Sequence, residues 1–101
     1  MAFVQTIEVE ATDEVGLRDH LAAWHGEQAG LAPGYLGARI LAEEAAPGRY
    51  VIEVDFSSRE EAARNNERAE TTAWAAKLAE LVAGEPRFTD YRLVYPTSEG
   101  R

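Results

Sequence analysis

The chain has 101 residues, 18 acidic against 10 basic side chains, a formal charge of −8 and no cysteine. Lacking cysteine, it is excluded from thiol catalysis, disulfides and thiolate metal sites. The acidic balance, with no cluster of Lys or Arg, argues against a surface that tracks nucleic-acid phosphates.

The length predicts one domain with one core over residues 1–95, followed by a short frayed tail at 96–101. A chain this short buries well under about 70% of its unfolded surface, so a partner subunit would add needed stability. No apolar run approaches the ~20 residues that cross a bilayer. The opening "MAFVQTIEVE" alternates and offers no basic segment followed by an apolar one. The expectation is a cytoplasmic protein with no membrane partner. Nine of the ten bases are Arg, beside abundant Ala and Gly, a composition typical of GC-rich bacterial genes.

The first predicted element is the strand "AFVQTIEVE", with Phe3, Gln5, Ile7 and Val9 on one face and Val4, Thr6, Glu8 and Glu10 on the other. "ATDEV" opens a helix in which Thr12 or Asp13 can serve as the cap. Leu17, Leu21, Trp24, Gln28 and Leu31 fall within about 80° of one another on that helix, a narrow inward stripe. "APGYLG" interrupts the pattern. "YLGARILAEE" then reads as a second strand, with Leu36, Ala38 and Ile40 on one face and Arg39 and Leu41 on the other.

Pro47-Gly48 supplies a turn, and "RYVIEVDF" is the clearest strand in the chain, with Tyr50, Ile52, Val54 and Phe56 pointing one way. "SSREE" matches a capping box, Ser58 with Glu61. The helical region that follows is expected to stop at Gly84, with Pro86 preventing continuation. "RFTDYRLVY" closes the fold as a fourth strand, with Tyr91, Leu93 and Tyr95 opposite Phe88, Asp90, Arg92 and Val94.

The element order β-α-β-β-α-β predicts an α+β, ferredoxin-like subunit: a four-stranded antiparallel sheet with two helices on one face. The other face mixes Val4, Leu41, Val51 and Val94 with Glu8, Arg39, Glu53, Asp55 and Arg92. That many aliphatics on a solvent face predicts a second subunit against it.

The second helix contains "RNNERAETTAW", an awkward stretch for helix, since Asn and Thr compete for backbone hydrogen bonds. Measured from Ala62, Asn66 lies at about 40° and Ala69 at about 340°, whereas Trp74, Leu78 and Leu81 lie at about 100–160°. The apolar stripe therefore jumps by about 120°, and a straight helix would bury Glu67 and Glu70 at a cost. A break near Asn66 to Ala69 is expected, with Thr71 or Thr72 restarting the helix and Asn66 facing inward. Such a joint above a sheet leaves room for a small ligand.

The element order, the length, and "DFSSREEAARNNERAETTAWAAKLAELV" followed by "EPRFTDYRLVY" resemble the antibiotic biosynthesis monooxygenase-like family of the dimeric α+β barrel superfamily. The resemblance spans roughly Phe3 to Tyr95. It implies a homodimer whose two sheets meet in a barrel, and a pocket between helices and sheet in each subunit. It further implies a cofactor-independent monooxygenase acting on a small aromatic or quinol-type metabolite, with polar and aromatic side chains orienting the substrate. On that implication Asn66 and Trp74 are the catalytic candidates, with Gln5, Trp24, Tyr50, Tyr91 and His20 lining the pocket.

The alternative is a non-catalytic small-molecule-binding or dimerisation module, in which Asn66 merely satisfies the helix joint and Trp74 anchors the core. Haem-degrading enzymes share the fold, but the resemblance would then require an iron-ligating His on the second helix. That helix offers only Lys77, which is protonated at neutral pH. His20 and His25, five residues apart, do not share a helix face as metal ligands prefer. No cofactor or metal is therefore expected, and the expected partners are a second copy of the chain and a small apolar or aromatic ligand.

Overall fold

The computed structural model describes residues 2–97. In chain order it contains β1 (Phe3–Glu10), α1 (Glu14–Gln28), β2 (Tyr35–Ala42), β3 (Arg49–Phe56), α2 (Arg59–Asn66), α3 (Ala69–Leu81) and β4 (Ala83–Arg92). The sheet order is β2-β3-β1-β4, every neighbouring pair antiparallel. This is the ferredoxin-like α+β arrangement, with the second helix divided in two. The tail expected at 96–101 lies outside the described residues from position 98 onward. Among the described residues no helix is long and apolar enough to cross a membrane.

Alternation in the two central strands builds the core. Phe3 pairs with Phe56, Ile7 with Ile52 and Val9 with Tyr50, and all six are buried. Leu17 from α1, Ala62 from α2 and Leu78 from α3 close over them. Burying side chains of the Leu, Ile or Phe class contributes roughly 1.5–3 kcal/mol each. That contribution is what holds the three helices on the sheet.

The local signals act as expected at several boundaries. Asp13 caps α1 by accepting from Gly16 N at 2.8 Å. Ser58 Oγ accepts from Glu61 N at 3.1 Å and opens α2. Between β2 and β3, Arg49 N donates to Ala46 O at 3.1 Å around Pro47 and Gly48. Gly48 has φ +93°, the left-handed geometry that the third residue of a type II turn demands. Gly34 is also left-handed, at φ +65°, and lies so close to Glu61 and Ser57 that a side chain there would collide with them.

Three expectations about β2, α1 and β4 need correction. In β2 the register shifts between Tyr35 and Gly37, so Tyr35 packs on the core with Ala38 and Ile40 while Leu36 turns outward. A bulge inserts one residue, and one residue reverses the alternation. Helix α1 stops at Gln28, leaving Leu31 69% exposed in the following turn rather than on the inward stripe.

The last correction concerns β4. It begins at Ala83, not after Pro86, and its faces are opposite to those expected. Phe88 pairs with Ile7 and Asp90 with Gln5 on the helix side, while Tyr91 pairs with Val4 on the outer side. Pro86 is tolerated inside this strand because β4 is an edge and needs no amide donor on its open side.

The joint in the second helical region comes where the apolar stripe jumps. Glu67 still has αR geometry, Arg68 is extended at φ −77°, ψ 144°, and α3 begins at Ala69. Arg68 is the N-cap, and no side chain caps the helix. Neither threonine restarts it.

Candidate functional site

A cavity of about 400 Å³ opens under this joint. Its floor is the helix-facing side of the sheet: Gln5 and Ile7 from β1, Val54 and Phe56 from β3, Phe88 and Asp90 from β4. Leu21 and Trp24 of α1 form one wall. Asn65, Asn66, Thr71, Thr72, Trp74 and Ala75 of α2 and α3 form the other. The space lies where the extended Arg68 interrupts the helical cover of the sheet between α2 and α3.

The joint is held by a polar cluster that begins with Asn65, only 3% exposed. Its Oδ1 accepts from Thr71 Oγ1 at 3.1 Å and from Arg68 Nη1 at 3.4 Å. Arg68 has no acceptor to offer, which settles the amide's orientation. Arg68 also donates through Nη2 to Oε1 of Gln28 at 2.7 Å, and Gln28 is itself buried at the end of α1. Asn65 and Arg68 thus tie α2, α3 and α1 together across the break. Both bonds use Oδ1, so neither commits an N–H of the Asn65 amide.

The expected roles of the two asparagines are reversed in burial. Asn66, expected to face inward, is exposed and reaches the cavity at its edge, while Asn65 is the buried one. The inward side of α2 lies between Ala62 and Asn65, three residues apart, rather than between Ala62 and Asn66. Four-residue spacing alone could not separate these, because both pairs share a helix face.

Trp74 stands where expected, on the cavity wall, and is clasped from behind. His20 stacks on it with centroids 4.9 Å apart and planes 6° from parallel. His20 Nε2 donates to Trp74 O at 2.9 Å, while Trp74 Nε1 donates to His20 O at 3.3 Å. A carbonyl can only accept, so His20 carries a proton on Nε2. His20 is therefore a support of the wall and not part of the lining.

Trp24 lines the cavity, lies 6.3 Å from the Trp74 ring and meets Tyr35 edge-on at 5.0 Å. Its Nε1 is buried without a partner among the described residues. Burial, and secondarily the Asp55 carboxylate, raises the Tyr35 pKa, so that hydroxyl stays protonated beside His25 Nδ1 at 2.6 Å.

Besides His20, two further expected pocket residues lie elsewhere. Tyr50 points toward the start of α1, where its hydroxyl donates to Glu14 Oε1 at 3.0 Å, and that hydrogen bond holds its pKa up. Tyr91 is on the outer face of β4, half exposed, because of the face reversal described above. In their place stand Phe88 and Asp90, both expected on the outer face. Gln5 Nε2 donates to Asp90 Oδ1 at 3.1 Å, across the strand pair whose register brings them together.

The lining offers neither His, Cys, Tyr nor Met, so it supplies none of the side chains that ordinarily ligate haem iron. Among the described residues no three His, Cys, Asp or Glu side chains come together as a metal site would need.

No protein-family model matches this sequence, and no curated protein matches it. Solved structures do match by shape. A candidate antibiotic biosynthesis monooxygenase from Nitrosomonas europaea superposes with a TM-score of 0.72 at 24% identity, covering 96% of this chain and 94% of that one. The fold is that of the antibiotic biosynthesis monooxygenase-like proteins.

A second candidate monooxygenase of that kind, from Bordetella bronchiseptica, gives 0.76 at 19% identity over 94% of this chain and 100% of its own. A variant of SnoaB, described as a cofactor-independent oxygenase from Streptomyces nogalater, gives 0.77 at 12% identity over 97% and 98%. At such identities the likeness to antibiotic biosynthesis monooxygenase-like proteins extends to the backbone only. The chemistry has to be argued from this chain's own cavity.

Proposed function

We propose that this protein is a cofactor-independent monooxygenase for a small aromatic or quinol-type metabolite, bound in the cavity between the helix joint and the sheet. The observation that carries the reading is the cavity itself. Two indole rings and two phenyl rings bound a space of about 400 Å³, within the range of small-molecule sites, with a few polar groups set among them. Both tryptophans of the chain are there.

The chemistry asks little of the protein. A deprotonated electron-rich phenol, quinol or anthrone can itself give an electron to dioxygen. For an anthrone the balance is a CH₂ and O₂ converted to a C=O and water. The protein supplies orientation, a donor for the developing oxyanion, and shelter from water. Asn66, exposed at the cavity edge, is the donor in this reading, and the Asn65 amide, whose Oδ1 alone is used by the joint, is the second N–H donor in the lining. Trp74 supplies a ring face, since its N–H already bonds to His20.

Oxygen-electrode assays with anthrone and a set of hydroquinones test the reading. Uptake above the spontaneous rate is expected, with one O₂ consumed per anthrone and anthraquinone as product. If no compound raises uptake, while aromatic probes still bind, the protein is a binding module.

We propose further that the outer sheet face joins a second copy of the chain. Val4 and Val51 sit on that face, with Tyr91 opposite Val4 and Leu41 opposite Val51. Tyr91 and Leu41 are left 51% and 42% exposed. Val94, expected in the same row, lies beyond the end of β4. Light scattering should give about twice the 11.1 kDa subunit mass. Val51→Lys should shift it to the monomer, because a charge buried without a partner is costly. A wild-type monomer at micromolar concentration would refute the pairing.

A further inference from the structure

We infer that the cavity selects its ligand by charge through Asp90: it takes up a flat aromatic that arrives neutral or cationic and carries an N–H or O–H donor, as an unionised quinol or anthrone does, and it rejects aromatics that arrive as anions. The inference rests on the reading of the cavity as an aromatic-ligand site and adds to it the polarity of that ligand.

Asp90 is the one formally charged side chain among the residues lining the cavity. Gln5 Nε2 holds its Oδ1 at 3.1 Å, which fixes the carboxylate's orientation and leaves Oδ2 uncommitted by that bond. Two residues earlier on the same strand face, Phe88 lines the floor beside it. Trp24 and Trp74 supply indole faces, whose negative quadrupole attracts cations and disfavours anions. Ring faces and carboxylate therefore act in the same sense.

Among the described residues, none of the arginines near the cavity is paired with this carboxylate. Arg92 is the next residue on the helix side of β4, paired across from Phe3, and Arg59 lies over the Phe3 ring at 5.9 Å. Arg68 is turned to Gln28, Asn65 and Glu70. The formal charge of the whole chain, −8, adds to the same polarity. An aromatic carboxylate entering the cavity would meet one like charge at short range, at the solvent-exposed rim that Asp90 occupies. A ligand hydroxyl or ammonium would instead find an oriented, charge-assisted acceptor.

Calorimetric titration with three probes of one shape tests this at neutral pH: 2-naphthylmethanol, 2-naphthylmethylamine and 2-naphthoate. The amine should bind at least ~10-fold more tightly than the carboxylate, with the alcohol between them. In Asp90→Asn the amine and carboxylate should come within about 2-fold of each other, and in Asp90→Lys their order should invert. Asp90 lies exposed on an edge strand, so both variants are expected to fold, which circular dichroism would verify.

Carboxylate binding equal to or tighter than that of the amine in the wild-type protein would overturn the inference. So would a preference that persists in Asp90→Asn, since the overall charge would then explain it. Binding of none of the probes would remove the aromatic site altogether. None of these titrations consumes oxygen, so the charge order can hold while the oxygenase reading fails, and the two results stay separable.

Discussion

Phe56→Ala should lower the free energy of unfolding by about 3–5 kcal/mol, the range for truncating a fully buried aromatic. Phe56 is 1% exposed and closes β3 between Phe3 on one side and Tyr35 on the other. Its ring meets that of Tyr35 at 6.4 Å, and it also forms part of the cavity floor. Small domains have only about 5–15 kcal/mol in total, so this one change would remove about a fifth of it at the least. For a chain of about 100 residues, 1 kcal/mol corresponds to about 4–8 °C in the melting temperature. A fall of more than 10 °C in a thermal scan is therefore expected. A loss below about 1 kcal/mol would mean that the floor collapses to fill the space. The same truncation enlarges the cavity, so ligand affinity should be compared at a temperature where the variant remains folded.

Asn65→Ala should cost about 1–3 kcal/mol, because it strands the Thr71 hydroxyl and one Arg68 N–H at a part-buried joint. Asn66→Ala should leave the melting temperature within a degree or two, since its side chain is exposed. On the proposed function it should instead lower oxygen uptake by ~10²–10³-fold, the scale for losing one oxyanion donor. The pair separates structure from chemistry on adjacent residues. Equal melting losses in both variants would contradict the joint described here. An unchanged rate in Asn66→Ala would assign the donor elsewhere, and the uncommitted Asn65 amide would be the next to test.

The sheet and its core were legible in the sequence because alternation is a local property. In "RYVIEVDF" every second residue is apolar, and each of those four is buried. The caps at Asp13 and Ser58 and the turn at Pro47-Gly48 were legible for the same reason: each rests on a side chain or a φ angle within three residues of its partner. The helix joint was legible too, since a stripe that jumps by about 120° cannot stay buried on a straight helix.

Other features depend on contacts remote in sequence. Which of Asn65 and Asn66 turns inward is settled by Arg68 reaching Gln28, forty residues away on α1. Whether Tyr91 or Asp90 faces the helices is settled by the pairing of β4 with β1, where Asp90 meets Gln5 across 85 residues of chain. Neither face of β4 is strongly buried, for Phe88 and Tyr91 are each about half exposed, so no hydrophobic pattern could choose between them. By itself the sequence determined the order of the elements, the caps at Asp13 and Ser58 and the break in the helix, because these follow from neighbours a few residues apart. Only the tertiary structure decided the composition of the cavity, because a one-residue change of register exchanges the two faces of a strand and leaves its pattern intact.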